Sequence, residues 1–218
     1  MTTTTAATVQ VDIISDVVCP WCIVGFRQLS QALEREGIRA AVRWHPFELN
    51  PDMGIDGQNL REHLMQKYGI SAEDSIAARQ RLTDLGADLG IAFNFTDEMR
   101  MVNTFRAHQL LDWAEDSDKQ TDLKQALFAA YFTKGLDVSD SDVLVGMAES
   151  VGLDPDEARR LLNSGERAQQ VRQKQQFWTS RGITGVPAMV FAGKYLVTGA
   201  QGTDAYADVL TRCQAEAA

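Results

Sequence analysis

The segment Asp16-Val17-Val18-Cys19-Pro20-Trp21-Cys22 joins a strand-like run to a helix-like one. Upstream, Val9, Val11 and Ile13 alternate with Gln10 and Asp12, the two-residue period of a strand with one buried face. Pro20 suits the first position of a helix, where its missing N–H costs nothing. Downstream, Val24, Leu29, Ala32 and Leu33 mark a helix that stops at Gly37, and Ala40 to Phe47 alternates again as a second strand. Strand, helix and strand make a βαβ unit with the two cysteines at its first turn.

Outward from this unit the pattern changes. From about Leu60 to about Ser180 the apolar spacing is helical and no strand is evident. Leu123, Leu127, Ala130, Tyr131 and Lys134 fall at helix spacing before Gly135, and Asp154-Pro155-Asp156-Glu157 reads as a capped helix start. Strands return at the end: Ala188 to Phe191, a tight turn at Ala192-Gly193, and Lys194 to Thr198. Thr203 then caps a last helix with Tyr206, Val209, Leu210 and Cys213 on its apolar face. Neither the opening βαβ unit nor the closing hairpin completes a sheet alone. Pairing them gives one sheet, with the helical middle inserted between its halves.

Cys19 and Cys22 lie one helical turn apart and face the same way, which lets a disulfide of normal dimensions close without moving the backbone. A cysteine at the N-cap meets free amide groups and the positive end of the helix dipole, so Cys19 is expected to titrate below the free value of about 8.5. Cys22 sits deeper. This division suggests a nucleophile at Cys19 and a resolving thiol at Cys22. Zinc would need four ligands, and Cys213, His45, His63 and His108 are scattered singly, so no metal is expected. Two inert packed thiols beside a proline at a helix start would be an odd use of residues, and the redox reading is preferred.

The composition agrees. The chain has 218 residues, three cysteines and a formal net charge of −9. That charge argues against nucleic acid or an anionic membrane as partner. No apolar run approaches the roughly 18 residues of a membrane span. Met1 to Gln10 is Thr-rich without positive charge and reads as a frayed tail, not a signal peptide, so a cytoplasmic location is expected.

Together with Trp44-His45-Pro46-Phe47-Glu48-Leu49-Asn50-Pro51, Asn103-Thr104-Phe105-Arg106-Ala107-His108, Gly182-Ile183-Thr184-Gly185-Val186-Pro187 and Gly199-Ala200-Gln201, the Cys-Pro-Trp-Cys segment resembles the DsbA family, most closely its FrnE-like branch of dithiol–disulfide isomerases. The resemblance runs over essentially the whole chain. It implies an α/β thioredoxin-like fold interrupted by a large all-helical domain, divided as 8–56, 57–180 and 181–216. It also implies a cis Val186–Pro187 bond beside the cysteines, with Val186 offering its backbone to an extended substrate. Pro20, Trp21, Val186 and Pro187 are therefore the candidate substrate-contacting residues. The activity implied is exchange of disulfides with protein or small dithiol substrates. No bound cofactor is called for, and a dithiol or glutathione would serve as redox partner.

Other residues carry weaker expectations. Cys213 reads as a buried core thiol and His45 as a hydrogen-bonded structural histidine. Asn103 and His108 read as packing between the two domains, and Glu115 to Lys119 as a solvated helix end. Thioredoxins proper carry a buried carboxylate six residues before the first cysteine, where this chain has Ile13. Asp12 should point to the other face of the strand, and Asp16 should be more exposed. Asp16 or a water is then left to take the proton of Cys22. Two rival functions stay open: a glutathione-dependent isomerase or transferase, which would need no resolving Cys22, and a holdase-like binding protein with incidental cysteines.

Overall fold

The computed structural model describes residues 8–217, so most of the expected N-terminal tail lies outside the described residues. Strand β1 (Val9–Ser15) leads to helix α1 (Pro20–Glu36) and strand β2 (Ala40–Pro46). Pro20 takes the first helical position, and Gly37, at φ 63°, ends α1 in the left-handed region with its N–H bonded to Leu33 and Glu34 carbonyls. The chain re-enters the sheet with strands β5 (Ala188–Phe191) and β6 (Tyr195–Thr198), joined by a turn in which Ala192 and Gly193 both have positive φ, and ends in helix α9 (Thr203–Ala217).

The sheet order is β2-β1-β5-β6, with β1 parallel to β2 and antiparallel to β5. Both ends of the chain thus build one sheet around β1, as the periodicity predicts. Ile13 stands between Trp44 and Met189 in register, and this face packs under α1 and α9. Gly25 permits that contact. A Cβ there would come within 3.2 Å of both Met189 Cε and the Tyr206 hydroxyl. The opposite face carries Ile14 and Ala188 against Ile183 and Trp178.

Between β2 and β5 come the short strands β3 (Gln58–Asn59) and β4 (Arg100–Met101) and the helices α2 (Leu60–Tyr68), α3 (Ala72–Asp88), α4 (Phe105–Ala114), α5 (Gln120–Phe128), α6 (Ser141–Ser150), α7 (Pro155–Ser164) and α8 (Ala168–Thr179). The paired β3 and β4 correct the expectation of a strand-free middle; two residues are too short to leave an alternating pattern. The helix expected to run to Gly135 instead widens after Phe128 into a π-helical turn, Ala129–Thr133, which buries the consecutive Ala130, Tyr131 and Phe132. The Asp154 cap holds as expected, its carboxylate accepting from the Asp156 and Glu157 amides.

Gln120 helps dock the helical segment onto the edge of the sheet. Gln120 accepts from the Trp44 amide at 2.8 Å and donates to the Trp44 carbonyl at 3.0 Å, standing in for a neighbouring strand on β2. Leu123, Leu127 and Phe128 then join the core of the sheet, each burial contributing about 1.5–3 kcal/mol. Lys124 follows Gln120 by one helical turn, so the clamp that orients α5 also aims Lys124 at the underside of the cysteine motif.

Candidate active site

Cys19 and Cys22 are free thiols at the N-terminus of α1. Cys19 is the N-cap residue in extended conformation, and its carbonyl accepts the Cys22 amide at 3.1 Å. Its sulfur makes no cap bond to the helix amides. Instead Cys19 Sγ lies 3.6 Å from the carbonyl oxygen of Val186, at thiol-donor distance, and the Val186–Pro187 bond is cis. Cys22 is fully buried behind it. Trp21, between them, is 47% exposed and Val186 half-buried, whereas Pro187 is buried. Cys19, Pro20, Trp21 and Val186 all line one cavity. The structure thus brings four of the six expected residues to one cavity and buries Cys22 and Pro187.

The electrostatics correct the expectation for Cys19. Its thiol is pushed well up, first by its hydrogen bond with Cys22 and then by burial. Burial acts against Cys22 as well, but the hydrogen bond from Cys19, the charge of Lys124 and the Ser15 hydroxyl hold its pKa below the ordinary value. Of the two thiols, the surroundings favour ionisation of the inner one. The Cys22 amide at the helix start works to lower Cys19, as the sequence suggests, but it does not offset the neighbouring Cys22 side chain and burial.

Three further ionisable groups lie under the motif, Asp16, His108 and Lys124. Asp16, expected to be exposed, is 1% exposed, because Val17 and Val18 turn the chain inward before the helix. Its Oδ2 accepts from the Leu49 amide at 2.8 Å, and its Oδ1 faces His108 Nε2 at 3.3 Å. Burial works to raise the Asp16 carboxyl, but His108, the Leu49 amide and Lys124 outweigh it and hold the pKa below the usual carboxylate range. Lys124 is 1% exposed, with its ammonium 5.2 Å from the Trp44 ring centroid and 5.0 Å from that of Phe128. Burial lowers it to about 8 against the opposing charges of Cys22, Asp16 and Cys19.

A model of the DsbA-like thioredoxin domain matches residues 10–211. The chain belongs to the DsbA-like thioredoxin family. YwbO of Bacillus subtilis (strain 168), an uncharacterized protein, is 27% identical over 202 residues, which is 91% of this chain and 94% of that protein. SCO1869 of Streptomyces coelicolor, described as a probable DsbA oxidoreductase, is 32% identical, with a TM-score of 0.88 over 95% of this chain and 91% of that one. The cytosolic disulfide reductase DsbM of Pseudomonas aeruginosa shares the fold at 16% identity, with a TM-score of 0.65 over 96% of this chain and all of that one, a coverage of 100%.

Within this DsbA-like frame, His45 is hydrogen-bonded as expected, its Nε2 2.8 Å from Asp12 Oδ1, on the sheet face away from the cysteines. Asn103 also has a structural role: it accepts from the Phe105 amide and donates to the Met53 carbonyl. Cys213 is buried on α9, apart from the motif, with its thiol pushed up by burial. His108 differs from the expectation of packing alone, since it faces Asp16. Its membership of the Asn103–His108 segment was the one signal in the sequence that pointed to it. Lys124 gave no such signal, because it interrupts an apolar helix face where a solvated lysine is the ordinary reading.

Proposed function

We propose that this DsbA-like protein exchanges disulfides through Cys19 as the attacking thiol and Cys22 as the resolving one. The observation that carries the reading is the division of access: Cys19 opens on a cavity beside the Val186 backbone, and Cys22 is sealed behind it. At attack, the proton of Cys19 passes to Cys22, and the Cys19 thiolate bonds to one sulfur of the substrate disulfide. The other substrate sulfur leaves as a thiolate and takes a proton from water. Cys22, deprotonated again, attacks Cys19 Sγ and expels the first substrate thiol. The protein ends with a Cys19–Cys22 disulfide, and the substrate with two thiols. Run backwards, the same steps oxidise a dithiol.

The proton of Cys22 needs a holder in a dry site. Asp16 stays ionised near neutral pH, which counts against the role the sequence offered it. Lys124, brought to about 8, changes charge in the working range and supports the Cys22 thiolate when protonated. The Val186 carbonyl and amide beside Cys19 suit an extended disulfide substrate, with Trp21 and Pro20 flanking it. A cytoplasmic dithiol or glutathione as recycling partner fits the name of the Pseudomonas relative, a cytosolic disulfide reductase. Direction of flow follows the reduction potential, which spans about 150 mV among proteins of this fold.

The test is mass spectrometry after reaction with oxidised glutathione. Cys22→Ser should accumulate a glutathione adduct on Cys19, Cys19→Ser should form none and be inactive, and Cys213→Ser should match the parent. Full turnover of Cys22→Ser in a glutathione-requiring assay would replace this reading with a single-nucleophile isomerase or transferase. Inactivity of the parent toward every disulfide would leave the holdase.

A further inference from the structure

Beside Cys19 the helical segment encloses a cavity of about 310 Å³, walled by α2, α3, the π-helical turn and Trp21. That volume lies at the lower end of small-molecule sites, about 300–1,000 Å³. Leu64, Leu82, Phe95 and Phe132 make its walls mostly apolar. The ionisable groups other than Cys19 and the two tyrosines are all basic: His63, Lys67 and Arg79, with no Asp or Glu in the lining, in a chain whose net charge is −9.

Two of these groups, Lys67 and Arg79, have no carboxylate partner among the described residues. Lys67 Nζ is bonded to the Leu49 carbonyl and the Asn50 side-chain oxygen, both neutral. Arg79 reaches the Thr96 carbonyl at 3.4 Å, and burial together with the nearby Arg61 works against its charge. One turn before Arg79 on α3, and so on the same side of the helix, stands Ser75. Ser75 is 1% exposed, lines the cavity, and its hydroxyl has no hydrogen-bond partner. A buried hydroxyl with no partner among the described residues, one helical turn from a guanidinium bonded only to a neutral carbonyl, is an arrangement completed by an anionic acceptor.

We propose that this cavity seats a small disulfide with an apolar body and a carboxylate, the carboxylate on Ser75 and Arg79 and the sulfur at Cys19. The inference rests on the thiol–disulfide reading and names its substrate class. The carboxylate replaces water on Arg79 and pairs the orphan hydroxyl. The apolar body fills the space between α2 and α3. The reactive sulfur is thereby held at the cavity's cysteine end, next to Val186. The reaction is the exchange already written, with the seated half of the substrate released as a thiol.

The experiment follows oxidation of the reduced protein in a single turnover. The probes are 3,3′-dithiodibenzoate, its uncharged diamide of the same shape, and insulin as a protein disulfide. Rates for the two small disulfides are normalised to their reaction with free 2-mercaptoethanol. The parent should prefer the dibenzoate over the diamide by about tenfold or more, the size of one charged hydrogen-bond pair. Arg79→Met and Ser75→Ala should each erase much of that preference and leave the insulin rate unchanged. Ser75→Ala removes only an unpaired hydroxyl, so it also serves as the variant least prone to misfolding. Equal normalised rates for acid and amide in the parent, or equal losses on both in Arg79→Met, would overturn the proposal in favour of an apolar side chain of a protein substrate. Failure of all three probes to oxidise Cys19 would instead remove the thiol–disulfide reading itself.

Discussion

Strand β1 and the loop after it carry two aspartates, each facing a histidine. Asp12 meets His45 at 2.8 Å on the sheet face away from the cysteines, where both side chains keep about a tenth of their exposure, 10% and 11%. Asp16 meets His108 at 3.3 Å beneath Cys22, where both are sealed at 1% and 2%. Chemically the pairs are alike, and both carboxyls are held below the usual range. They differ in company. Asp12 has Gln10 and the charge of Arg43 at the sheet's edge, with Trp178 against its histidine, and so closes a local network. Asp16 has Lys124 and two thiols, groups whose charge changes during thiol exchange. A carboxylate–histidine pair is thus structural or functional according to what else the fold buries beside it, and not by its own geometry.

The sharpest way to break this comparison is to neutralise each carboxylate in turn. Asp16→Asn removes a buried charge that faces His108, accepts from the Leu49 amide and lies in the field of Lys124, and should cost about 3 kcal/mol or more in urea unfolding at pH 7. Asp12→Asn keeps a hydrogen bond to His45 and should cost about 1 kcal/mol. Equal losses would show that Asp16 is no more than a second Asp12. Both folded carboxyls lie below the unfolded value near 3.8, so their stabilisation is present above that pH and lost as pH falls through the folded values. The acid limb of the stability curve should flatten in both variants, more in Asp16→Asn.

Next in size is the effect of the buried lysine on stability against pH. The folded Lys124 titrates near 8 and the unfolded one near 10.5, so the unfolded chain binds more protons between these values. Stability from this group therefore rises with pH across 8 to 10.5, by up to about 3 kcal/mol, as a buried charge that was costly is lost. Lys124→Met, of similar volume, should remove that rise. A variant that keeps the slope would show that another group produces it.

A smaller effect separates the pairs at the thiols. Lys124→Met should raise the first thiolate titration, read by absorbance at 240 nm, since the ammonium is among the groups that lower Cys22. The same titration in Asp12→Asn should match the parent. The smallest expected change is His45→Gln, which keeps a hydrogen-bonding side chain against Asp12 and should leave glutathione exchange rates within about twofold. A tenfold fall there would mean that the far face of the sheet reaches the chemistry.

The sequence alone was sufficient for the alternating run of β1, the proline at the start of α1, the glycine at its end and the closing hairpin. These are local matters of period, φ restriction and turn chemistry, and they placed the cysteine pair at a helix start inside a sheet made from both ends of the chain. The two-residue strands β3 and β4 left no period to read, and the π-helical turn after Phe128 keeps a spacing close to that of an α-helix. Burial of charge was illegible for a different reason. Asp16 and Lys124 are separated by more than a hundred positions and look like surface residues, and the docking of α5 on Trp44 through Gln120 and Thr121 brings Lys124 under the motif. Which thiol the surroundings favour for ionisation is decided there too, because a thiol's pKa answers to every charge and dipole packed around it, and the N-terminal turn of a helix is only one of them.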